Sequence, residues 1–252
     1  MKQGNEPSAA DASALFIGWD VGGWNCDKNP ASRDALVVLD AGRRMLGTPW
    51  RGNLRRPINQ AADTAGFVAR LLALCGLEAE DFAGLPVVLA IDTPLAFSSA
   101  FVQLLVEGRA VEGIEGSASN PYLFRRTERF LFERGITPLS AVKDMIGSQA
   151  TKGMHVLARF APTLERCGVW TDGSRLRAIE AYPSACRKSA SVTTLQRDYL
   201  DDPSLSHADL RDALTCALLA WLFHCQPEAL AHPAQDVPER EGWIFVPADA
   251  LS

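Results

Sequence analysis

The sequence predicts a mixed α/β fold in which the first three strands are antiparallel, later strands are parallel, and helices flank the sheet. Three observations predict it. Apolar runs at residues 14–21, 35–40 and 86–94 have the length and β-branched content of buried strands. Only a short turn separates the second run from a return segment at 43–48, which favours antiparallel neighbours. A helical stripe then precedes the third run, and a strand–helix–strand order implies a crossover into the same sheet.

The first run, ALFIGWDV, ends in Asp20 and runs into a glycine pair that marks a tight turn. Residues 35–40 form the second strand and 43–48 the third, joined by Ala41-Gly42. Residues 59–76 place Ala62, Ala65, Phe67, Val68, Leu71, Leu72 and Cys75 on one helical stripe. Asn59 is the N-cap and Gly76 the stop. PVVLAIDTP reads as a strand buried on both faces, with Asp92 at its C-terminal end.

Residues 107–121 are rich in Gly, Ser and Asn and predict a mobile loop or lid. Helices are expected at 120–134 and 141–160, a strand at 176–182 ended by Pro183, and a long helix at 207–224. A loop at 227–241 leads to a terminal strand in GWIFVP. The expected organisation is a disordered tail at 1–12 and a single domain over 13–252, with a helical insertion at about 107–170.

With 252 residues, 47% of them hydrophobic, the chain can bury one large core. A net charge of -5 argues against broad, non-specific nucleic-acid coating, though not against a local phosphate site. The six cysteines form no C-x-x-C pair and no zinc spacing, as expected of reduced thiols in a cytoplasm. Cys75, Cys216 and Cys225 fall in apolar helical patterns. The N-terminus lacks a signal-peptide pattern and no run approaches ~18 apolar residues, so no membrane partner is expected.

The chemistry lies in the acids. Mg²⁺ takes oxygen ligands, and a two-metal site needs several carboxylates converging on ions ~3.5–4 Å apart. Acids that close repel each other unless a cation offsets them. Asp20 and Asp92 end two strands, while Asp209 and Asp212 open the last long helix at i, i+3 on one face. Each acid alone is equally a turn former or helix cap. Their combination in this order is what points to a metal site.

These residues also carry a resemblance. FIGWDVGG, with Asp20 in a G-x-D-x-G setting, resembles the first strand of RNase H-like nucleases. AIDTPLAF, NPYLFRRTERFL, EAYPSACRK, HADLRDALTCALLAW and EGWIFVP resemble, in order, blocks of a prokaryotic family of predicted RNase H-like nucleases. The likeness runs over residues 16–247. ADLRDALTCAL is also similar to the final catalytic helix of RuvC-like resolvases, which makes Asp212 the third ligand and Asp209 an accessory one. The resemblance implies an RNase H-like mixed sheet, Mg²⁺ or Mn²⁺ held by Asp20, Asp92 and Asp212, and a nucleic acid or other phosphate ester as substrate.

Glu128 and Glu180 lie in family-like blocks and are further accessory candidates; Glu180 is equally a partner for an arginine. Arg125, Arg126 and Lys143 are candidates for holding substrate phosphate. Lys152 and His155 read as surface residues, His207 as a cap and Trp243 as core. Two other readings compete. An actin- or sugar-kinase-like ATPase would use Asp20-Val21-Gly22-Gly23 as a phosphate loop, but no second glycine-rich loop follows. A non-catalytic binding module on the same scaffold would leave the acids splayed, or plugged by arginine.

Overall fold

Alternation along the first strand, β1 (Leu15–Asp20), divides its side chains between two cores. Leu15, Ile17 and Trp19 enter one, and Phe16 enters the other. A computed structural model describes residues 14–117 and 119–251; the expected tail at 1–12 lies outside them. β2 (Asp34–Leu39) pairs antiparallel with β1 and with β3 (Met45–Gly52). β4 (Val87–Asp92) then joins the other edge of β1 in parallel.

Beyond β4 lie a short hairpin, β5 (Thr163–Arg166) and β6 (Val169–Thr171), and then β7 (Leu176–Ala181). β7 is parallel to β4, and its far edge is shared between β6 and the two-residue β8 (Ile244–Phe245). The strand order is β3-β2-β1-β4-β7-β6-β5, an open mixed sheet. The expected plan, antiparallel first and parallel after, is borne out. The β5–β6 hairpin extends the sheet where no strand was expected, because its short strands carry no apolar period.

Helices α1 (Arg55–Gln60) and α2 (Thr64–Leu74) replace the single helix expected at 59–76. Arg159 takes the Ile58 and Ala61 carbonyls at 2.9 and 2.7 Å, and Asp63 then caps a new start through Gly66 N–H. α3 (Ser99–Glu107) was not expected; residues 108–117 after it are coil, as anticipated. α4 (Arg126–Phe132) and α5 (Gly147–Phe160) are shorter than the helices expected at 120–134 and 141–160. Glu128 accepts the Arg125 N–H and fixes the start of α4, while Met145, at φ 56°, keeps α5 from starting earlier.

α6 (Pro183–Cys186) and α7 (Ala190–Gln196) lead to α8 (Ala208–Cys225), which His207 caps through Nδ1, as expected. α8 packs on β1, β2 and β4 over one face of the sheet. α2 and α5 cover the other face, where the Phe67 and Phe160 rings stack at 4.4 Å. Close approach of α8 depends on Gly18. A Cβ there would meet the Ala213 carbonyl oxygen at 1.9 Å and Ala217 N at 2.3 Å. Cys75 and Cys216 are buried, Cys225 is half-buried, and Trp243 is core. Among the described residues, no helix is long and apolar enough to cross a membrane.

Candidate active site

Asp20 and Asp92 are paired in register at the ends of β1 and β4. Neighbouring strands lie ~4.8 Å apart, and partners in a parallel pair project to the same face. Strand parity makes that face the α8 side: Phe16 precedes Asp20 on it, and Val88 and Ala90 precede Asp92. Asp212 adjoins Ala213, the residue seated on Gly18, so the helix contact that needs a glycine also brings this acid to the strand ends. The loop that follows Asp20 turns away through Gly22 and Gly23.

The three acids repel one another. Burial, then the charges of Asp92, Asp209, Asp212 and Asp34, push Asp20 up to about 9. Burial, then Asp212 and Glu180, push Asp92 up to about 8. Asp212 is also raised, by burial first; Asp209 adds to the rise and Arg187 opposes it. No side chain of the three makes a hydrogen bond or ion pair with a described residue. Only a proton or a cation can offset that charge.

A cleft of about 190 Å³ opens at Asp20 and Asp92. Thr93, Tyr182 and Glu180 line it from the strand ends, and Pro138, Leu139 and Ile146 from the segment before α5. The Tyr182 hydroxyl donates to the Thr137 carbonyl at 2.8 Å and fastens that segment over the opening. The Thr93 hydroxyl is buried without a partner among the described residues.

Glu180 is a different kind of acid. It pairs in register with Ile91 and so belongs to the opposite face of the sheet from Asp92. Arg125 grips it there, 2.6 Å to Oε1 and 2.8 Å to Oε2, and the same guanidinium holds Glu128 at 2.8 Å. All three side chains are at most 2% exposed. Burial works to lower the Arg125 pKa, but the two carboxylates outweigh it and carry it upward. Glu128 and Glu180 are thus held in a buried pairing with Arg125, which is not open to substrate phosphate, while Glu180 also lines the cleft beside Asp92.

The other expected phosphate holders are also engaged. Arg126 pairs with Asp236 at 2.5 Å, and Lys143 with Asp144 at 3.1 Å. Asp209 accepts from Arg51 Nε at 2.8 Å and from Arg33 N–H at 2.9 Å, tying α8 to β3 rather than joining the open acids. Lys152, expected at the surface, is fully buried against Asp34. It also reaches the carbonyls of Gly22 (3.2 Å) and Gly23 (3.4 Å), while Asp34 accepts from Gly22 N–H at 2.9 Å and Trp19 Nε1 at 3.0 Å. Sequence reasoning missed this clamp on the loop behind Asp20. Its one local sign is the polar Asp34 directly before an apolar strand.

Among the described residues, no three His, Cys, Asp or Glu side chains gather tightly enough to form a complete metal cage. Mg²⁺ does not require one, since it is commonly held by one or two carboxylates plus waters and substrate phosphate. Unpaired Asp20 and Asp92, with raised pKa values and the orphaned Thr93 hydroxyl nearby, fit such a cation. No protein-family model, curated protein or solved structure matches the chain.

Proposed function

We propose that the chain hydrolyses phosphodiester bonds at a divalent-metal site of the RNase H-like kind. One observation carries the reading: Asp20 and Asp92 stand in register on adjacent parallel strands, with Asp212 on the helix above, and the three side chains lack partners among the described residues. The buried acids Asp34, Glu128 and Glu180 are matched to cations; these three are not. The cleft at the carboxyl ends of the parallel strands supports the same reading, because open α/β sheets bind ligands there. So do the six sequence blocks.

Asp20 and Asp92 would hold the ion, with Asp212 completing the negative field around it. Mg²⁺ or Mn²⁺, when bound, supplies an activated water and charge stabilisation at the leaving oxygen. The chain's own part is to keep the acids fixed and the site shielded. The Lys152–Asp34 clamp holds the backbone after Asp20, and Leu139, Ile146 and Tyr182 line the cleft.

The test is cleavage of labelled DNA and RNA in Mg²⁺ or Mn²⁺ by wild type, Asp20→Asn and Asp92→Asn. Either substitution is expected to cut the rate on the order of a thousandfold. No cleavage by wild type, or equal cleavage by the variants, sinks the proposal. The lack of a complete three-ligand cage favours a second reading, a binding module without catalysis. Calorimetric titration with Mn²⁺ separates the two, since only the hydrolase requires binding that Asp20→Asn abolishes.

A further inference from the structure

A phosphodiester is an anion, and acids alone cannot hold it. Among the described residues, no lysine or arginine lines the cleft at Asp20 and Asp92. Each cation expected to serve is committed elsewhere: Arg125 to Glu128 and Glu180, Arg126 to Asp236, Lys143 to Asp144.

A second cavity, about 210 Å³, is lined by Asp212, which does not line the first. Two cations line it. Arg211 directs a guanidinium nitrogen to the carbonyls of Leu205 and Ser206, at 3.1 and 2.7 Å. Arg187 is exposed, and its side chain makes no hydrogen bond or ion pair with any described residue. Its backbone is nonetheless well placed, directly after α6, whose Pro183, Ala185 and Cys186 are buried. Its charge is felt on both sides, at Asp212 and at Tyr182 in the first cleft.

We infer that Arg187 is the side chain that grips substrate phosphate, so that a single nucleic-acid strand lies from the Asp92 cleft past Asp212 to α6. This rests on the hydrolase reading. An unengaged guanidinium beside the acids offers the bidentate contact that phosphate favours. It also places positive charge where the acids alone would repel the strand.

The experiment is fluorescence anisotropy with short labelled single-stranded DNA and RNA in Ca²⁺, across a salt series, for wild type, Arg187→Ala, Arg187→Lys and Arg126→Ala. Arg187→Ala is expected to weaken binding about tenfold and to lower the salt slope by about one. Arg187→Lys should fall between it and wild type, and Arg126→Ala should match wild type. Thermal melts equal to wild type establish that the variants fold. Wild-type affinity in Arg187→Ala overturns the inference while leaving the hydrolase reading intact. Wild type that fails to bind either strand also overturns it. Arg187-dependent binding without any cleavage keeps the anchor and removes the hydrolase.

Discussion

The two faces of the sheet treat their acids in opposite ways. On the side of α5, Asp34 meets Lys152, and Glu180 meets Arg125, each pair with little or no exposure to solvent. On the side of α8, the half-buried Asp20, Asp92 and Asp212 face one another, and their side chains have no partner among the described residues. Pairing separates a structural acid from one free to take a ligand.

The largest break in that contrast comes from unpairing the first face. Lys152→Met leaves Asp34 as a buried charge without its cation, and removes the donor that spans the Gly22 and Gly23 carbonyls. Losing one member of a buried pair costs about 3–5 kcal/mol. That corresponds to a melting temperature lower by about 10 °C. Calorimetry checks it. A loss under about 1 kcal/mol would mean that Asp34 is held by Trp19, Gly22 and Leu54 alone.

A milder break keeps the charge and removes the fork. Arg125→Lys retains a cation between Glu128 and Glu180 but cannot reach both oxygens of Glu180 and Glu128 together. The expected cost is about 1–2 kcal/mol, read by urea unfolding. Arg125→Met should cost more, because it strands two carboxylates. Equal losses for the two variants would show that the fork geometry contributes nothing.

Much of this arrangement was legible in the sequence, and the limit has a physical cause. β1 and β4 were legible because each is an unbroken apolar run, and Asp20 and Asp92 because each breaks its run at the end. Asp212 followed from helix spacing. What escaped were charges whose partners are far along the chain. Lys152 sits in a polar stretch and looks solvated until Asp34, 118 positions away, is packed against it. Asp209 shares a helix face with Asp212, yet Arg51, 158 positions away, takes it out of the cluster. An exposed arginine such as Arg187 has no local signature in the sequence; its place beside Asp212 in the second cavity singles it out.

The smallest effect tests the unpaired face directly. In metal-free protein, Asp20 at about 9 and Asp92 at about 8 keep protons that an unfolded chain, with carboxyls near 3.8, has lost. The folded state therefore binds more protons across this window. Stability from these groups is fully present below about pH 4 and declines as pH rises toward 9. Asp20→Asn removes a carboxyl that must take up a proton to fold, so at pH 8 in EDTA it should be more stable than wild type by on the order of 1 kcal/mol, or ~3 °C. Its melting temperature should also fall less steeply with pH. Saturating Mg²⁺ should flatten the wild-type profile in the same way and leave Asp20→Asn nearly unmoved. A wild-type profile already flat between about pH 5 and 9 in EDTA would mean that the acids do not repel, and the contrast between the two faces would lose its electrostatic basis.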